Sequence, residues 1–175
     1  MNRYPALQAI GNTPMVELDL PWDMGATHIY AKFEQLNPGG SIMDRPVLRM
    51  LAEAVISGKL KEGKTILDAT SGNAGIAYAM VGAILGFPVE LVMPENASEE
   101  RKKRLNAHGA SLIFTDAQLG YDEALYEVKR RYEQNPDKYF YCDQYSNTNN
   151  PLAHYETTAV ELLEQAPFIT HFVGG

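Results

Sequence analysis

Short alternating or wholly apolar runs recur along this chain, and between them the apolar positions switch to helical spacing. Met15-Val16-Glu17-Leu18 and residues 28–34 alternate and read as strands. From Pro46 onward, Val47, Leu48, Leu51, Ala52 and Val55 fall on one helical face, which stops at Ser57-Gly58. A repeating order then sets in: strand 65–69, helix 75–85 closed by Gly86, strand 89–93 ended by Pro94. Ser98 is placed to cap a helix running to His108, with Gly109 as its stop. Strand 111–114, helix 121–132, strand 139–141, helix 151–163 and strand 168–173 complete the pattern. Strands alternating with helices of about ten residues predict an α/β fold, a parallel sheet with helices on both faces.

The stretch Asn37-Pro38-Gly39-Gly40-Ser41-Ile42-Met43-Asp44-Arg45 joins the second strand to the first long helix. Its glycines permit a sharp turn, Ser41 and Asp44 are placed to accept from free N–H groups, and Pro46 suits a first turn. Such a helix start can seat a small anion or be no more than a well-capped connection.

Ligands of open α/β sheets bind beyond the carboxyl ends of the strands. Thr70-Ser71-Gly72-Asn73-Ala74-Gly75 lies at such a place, after strand 65–69. Two hydroxyls, a side-chain amide and the N–H groups of a helix start suit a carboxylate. The same residues equally describe a helix capped by Ser71 or Asn73, and the stretch alone leaves both readings open.

Composition narrows the class. The 45% hydrophobic content supports a folded core, and the net charge of −7 disfavours nucleic acid or an anionic membrane as partner. The basic cluster Arg101-Lys102-Lys103-Arg104 follows two glutamates and reads as a solvated helix face. A single cysteine, Cys142, excludes an internal disulfide. No signal-like or membrane-spanning apolar run occurs, so a cytoplasmic location is expected.

Gly11-Asn12-Thr13-Pro14, residues 37–45, residues 70–75, Met93-Pro94-Glu95-Asn96 and Gln144-Tyr145-Ser146-Asn147 occur in one order. Together they resemble the cysteine synthase (O-acetylserine sulfhydrylase) family, M-type, over its N-terminal half. These are pyridoxal-phosphate enzymes of fold type II, related to cystathionine β-synthase. The resemblance implies β-replacement on a serine ester, O-acetylserine or O-phosphoserine, to give cysteine. It also implies that Thr70, Ser71, Gly72, Asn73 and Gln144 bind the amino-acid substrate, and that Asn73 also meets the cofactor's ring oxygen. Where the family usually has threonine, this chain has Ala74.

At Met43 the family has the lysine that forms the Schiff base with pyridoxal phosphate. A thioether can be neither imine nor base, so no catalytic residue is assigned and covalent cofactor binding is not expected. Lys32 is the nearest alternative amine in sequence; Lys59, Lys61 and Lys64 are expected in solvent. The resemblance implies a smaller, substrate-closing domain at 41–145, with 1–40 and 146–175 as pieces of a larger cofactor domain. The chain is expected to stop before the family's phosphate loop, and so to need a second copy or a partner chain over its sheet. Two readings follow: a piece of a transferase altered at Met43 or cut short, or a non-catalytic relative that binds an amino acid or a protein.

Overall fold

The computed structural model describes residues 4–21, 25, 27–70 and 72–174. Ser71, one of the residues assigned to the seat, lies outside them. The chain opens with a one-turn helix α1 (Pro5–Gln8), then strands β1 (Met15–Glu17) and β2 (Tyr30–Lys32). These two pair antiparallel, Val16 opposite Ala31, and stand apart from the main sheet.

The main body alternates as the periodicity predicts. After α2 (Asp44–Ile56) come β3 (Thr65–Ala69), α3 (Asn73–Leu85), β4 (Val89–Pro94), α4 (Glu99–Ala107), β5 (Ser111–Thr115), α5 (Gly120–Gln134) and β6 (Tyr139–Tyr141). The four strands form a parallel sheet in the order β5-β4-β3-β6. Side chains alternate across it. Ile66, Leu91 and Met93 join α2 and α3 residues such as Val47, Leu51, Ile76 and Val81 in one buried cluster. Leu67, Ala69 and Val92 face Ala124 and Val128 of α5 in another. Both faces are therefore covered. Gly82 lets α3 lie close to the sheet: a Cβ there would stand 2.4 Å from Val89 Cγ2.

Helix α4 is capped as expected, with Ser98 Oγ accepting from Arg101 N at 3.4 Å. Gly109, at φ +82, supplies the left-handed turn after it.

Four expectations are corrected. Helix α2 begins at Asp44, not Pro46. Pro46 fits inside its first turn because N–H groups there have no intrahelical partner. Asp44 does not cap that helix but turns back, its Oδ2 accepting from Gly39 N at 2.5 Å. Ser41 Oγ does accept locally, from Met43 N at 3.1 Å. The strand read over 28–34 shortens to Tyr30–Lys32 and is followed by a 3₁₀ turn, Glu34–Leu36, because Glu34 turns inward to bond Arg45 and Thr13. The strand read over 168–173 does not form. No described residue offers it a ladder; it carries one local backbone bond, Ile169 N to Ala166 O, a side-chain bond between Thr170 and His171, and an edge-on ring contact of Phe168 with Tyr30.

The last helical stretch is α6 (Asn149–Ala153) and α7 (Ala159–Gln165), joined by a π turn, His154–Thr158. It packs on α2. Here the buried Arg45 guanidinium is held by Glu34 and Glu161, with Thr157 accepting from Nη1 and Thr13 sharing Nη2. No helix among the described residues is long and apolar enough to cross a membrane.

Candidate functional site

The chain moves outward from β3 to β4 and β5, then crosses back through α5 to set β6 on the other side of β3. The loops leaving β3 and β6 therefore part from neighbouring strands, which is where open α/β sheets form a crevice. Both groups of expected seat residues lie at these two loops.

Thr70 follows β3 directly. It is buried, its N–H reaches Val92 O at 3.0 Å, and its Oγ1 accepts from Gly72 N at 3.2 Å. Gly72 is the extended residue before α3, and Asn73 is the first residue of that helix, with an exposed side chain. Among the described residues no side chain caps α3, so Asn73 is not spent on the capping role that the sequence left open. Gly75 keeps the turn tight: a Cβ would meet Thr70 Cγ2 at 2.9 Å. Ala74 is buried and adds no polar group.

Gln144 comes in from the loop after β6. It is buried, and its Nε2 donates to Ala69 O at 3.1 Å, across 75 residues of sequence. A carbonyl accepts only from the amide nitrogen, so this bond fixes which way the Gln144 amide points. Asn150 Nδ2 steadies the Gln144 carbonyl at 2.8 Å. Thr70, Gly72, Asn73 and Gln144 are thus gathered around the end of β3.

Two further groups belong to this place. Tyr121, at the start of α5, donates to the same Ala69 O at 2.5 Å, and burial pushes its phenol upward. Tyr145 lies edge-on to it, the ring centres 6.4 Å apart. Tyr145 stood inside a motif that sequence reading singled out. Tyr121 carried no local signal, since a tyrosine at a helix start is ordinary.

Beneath the seat, Asp68 is wholly buried. It accepts from Tyr78 OH at 2.7 Å, Ala69 N at 2.8 Å and Gln144 N at 3.3 Å. Burial raises its carboxyl to about 7 despite those three donors. Cys142, beside it, is buried and its thiol pushed up by that burial, so it is a poor nucleophile.

Met43 is half-buried just before α2 and packs against the larger apolar cluster. Its loop is held by Asp44 and by Arg104, whose Nη2 donates to Gly39 O at 3.1 Å. Lys32 is already engaged. Its Nζ is tied to Thr13 O at 2.8 Å, Gln165 Oε1 at 3.0 Å and Glu161 Oε2 at 2.7 Å. Lys59 and Lys61 are exposed, and Lys64 bonds Pro136 O and Tyr139 O. Among the described residues no group of His, Cys, Asp or Glu is arranged to hold a metal ion.

A parallel α/β sheet with polar residues gathered beyond the end of a central strand is the arrangement in which open α/β folds bind small ligands. The chain belongs to the pyridoxal-phosphate dependent enzyme family, whose model matches residues 6–175. It is 49% identical to a cysteine synthase of Aquifex aeolicus, over 99% of this chain and 54% of that protein. It is 40% identical to cysteine synthase B of Escherichia coli, over 95% of this chain and 54% of that one. Among solved structures, a hydrogen sulfide-producing enzyme of Fusobacterium nucleatum superposes with TM-score 0.86 at 40% identity, covering 93% of this chain and 54% of that one. A cysteine synthase of Entamoeba histolytica gives TM-score 0.86 at 38% identity, covering 93% and 49%. The chain spans about half the length of the relatives it matches.

These residues fit the family's cofactor only in part. Asn73 presents an exposed side-chain amide, but Met43 has no amine and that of Lys32 is held by three oxygens.

Proposed function

We infer that this chain recognises the carboxylate of a serine-type amino acid without carrying out β-replacement on it. The observation that carries the reading is the Gln144 amide. One of its N–H groups is spent on Ala69 O, and the other remains to bind a carboxylate oxygen. Thr70 and the helix start at Gly72 and Asn73 supply further donors. Binding orients the substrate, and Tyr121 holds the rim by bonding the same carbonyl.

On this reading Met43 fills the room of a catalytic lysine with an unbranched, inert side chain. The reaction class of the relatives, cysteine formation from a serine ester, is not performed by residues 1–175 alone. Residues 41–145 act as the unit that closes on substrate, and 1–40 and 146–175 belong to a larger body.

The test is calorimetric titration with L-serine and O-acetyl-L-serine. Weak saturable binding is expected, and Gln144→Ala or Asn73→Ala should each cost about 1–2 kcal/mol, the loss of one hydrogen bond to a charged group. Equal affinity in both variants would refute the site.

A further inference from the structure

The buried carboxylate under the seat has no part in the reading above, yet it reaches every element that builds it. Asp68 belongs to β3, Tyr78 to α3, and the Gln144 N–H to the loop after β6. Its own neighbour Ala69 presents the carbonyl that both Gln144 and Tyr121 grip. We propose that Asp68 is a positioning residue for the carboxylate seat: while ionised, it draws the Gln144 backbone onto β3 and so aims the side-chain amide into the crevice.

The geometry is that of an acceptor surrounded by donors. All three hydrogen bonds given to Asp68 come from neutral N–H or O–H groups. The titratable groups facing it are Tyr78 from α3, Tyr121 from α5, and Tyr141, Cys142 and Asp143 from β6 and its following loop. None is a cation. Adding a proton converts one acceptor oxygen to a donor and leaves it opposed to an N–H or O–H already aimed at it. The Gln144 N–H bond, at 3.3 Å the longest of the three, is the one that gives way. Burial places this change at about pH 7. The ligand's own carboxyl titrates well below that region, and its amino group above the midpoint.

This inference rests on the carboxylate-seat reading, and its test separates the two. The Gln144 side-chain NH₂ resonances of the ligand-free chain are followed by ¹⁵N-resolved NMR from pH 5.5 to 8.5, and L-serine affinity is measured over the same range. The expected result is a shift of the Gln144 resonances with a midpoint near pH 7 and serine binding several-fold weaker below it. Asp68→Asn should abolish the midpoint and hold affinity at the low-pH level. Tyr78→Phe preserves ring shape and removes one donor to the carboxylate, so its midpoint should move upward. This keeps the test decisive should Asp68→Asn not fold. Unchanged Gln144 resonances across the range, or a midpoint that persists in Asp68→Asn or does not move in Tyr78→Phe, would overturn the proposal. If serine fails to bind at all while the Gln144 midpoint behaves as described, the seat reading fails and the positioning role stands.

Discussion

Arg45 and Glu161 meet in a two-pronged ion pair, Nη1 to Oε1 at 2.6 Å and Nη2 to Oε2 at 2.8 Å, across 116 residues of sequence. Glu34 closes the other side of the guanidinium with a second pair of bonds, at 2.7 and 2.8 Å. The expected small domain begins at residue 41 and ends at 145, so this arginine fastens its first helix to segments on both flanks. Burial alone would raise Glu161, but Arg45, Lys32 and the Asn12 N–H outweigh it and hold its carboxyl at about 2.

Replacing Arg45 by Met should therefore destabilise the chain by about 3–5 kcal/mol, because two carboxylates lose the cation between them. Replacing Glu161 by Gln should cost less, since Glu34 still pairs the arginine. Urea unfolding of the two variants checks the order, and an Arg45→Met cost below that of Glu161→Gln would contradict it.

Stability should fall, not rise, between mildly acidic and neutral pH. Folded Asp44 and Asp68 keep their protons to about 6 and about 7, whereas their unfolded reference is 3.8. Over that window the folded state binds more protons, so stability is lost as pH rises. Asp44 Oδ1, buried with no hydrogen-bond partner among the described residues, is where such a proton fits. Glu161 acts in the opposite sense: its contribution is present above its reference value of 4.5 and fades as pH falls toward about 2. The melting temperature is expected to be highest near about pH 5 and to decline toward pH 8. Asp44→Asn and Asp68→Asn should each flatten part of the decline. A rise from pH 5 to 8 would be the opposite result.

Pyridoxal phosphate should form no borohydride-fixed adduct with this chain. Met43 has no amine, and Lys32 is held by three oxygens. Mass spectrometry after reduction checks this. A stoichiometric pyridoxyl adduct on any lysine would overturn the expectation, and its position would show which amine had taken over.

Amide exchange should divide the chain sharply. Residues 66–69 and 91–93 sit in the middle of the parallel sheet with buried side chains and should exchange slowly. Residues 170–173 lack ladder bonds, and Val173 is 93% exposed, so they should exchange fast. Equal protection in a proven monomer would count against this fold for the tail.

The α/β pattern was legible because each strand of the main sheet carries its own apolar run and helices carry their own start and stop signals, as with Ser98 before α4 and Gly86 after α3. The place of the proposed seat was legible for a related reason: Thr70, Gly72 and Asn73 directly follow a strand, and that position has a fixed meaning in an open sheet. What could not be read was anything made by distant side chains. Asp68 looks like one polar residue in an apolar strand until Tyr78 and Gln144 N are seen around it. Asp44 looks like a helix cap until it is found bonding Gly39. Residues 168–173 have the composition of a strand, but a strand exists only with a neighbour to share its hydrogen bonds.

The strand order has a consequence for how the molecule assembles. Strands β3, β4 and β5 can associate through short crossovers, whereas β6 must return past all of them to reach β3, pairing Thr65 with Tyr139. Closing that long loop is the least favourable step in entropy. The crevice is bounded by just this pairing, so it is completed late in folding, after most of the core is in place. In a pulse-labelled refolding experiment, the amides of Tyr139 to Tyr141 should become protected after those of Leu91 and Val92. Simultaneous protection would mean that the returning strand is already docked when the nucleus forms.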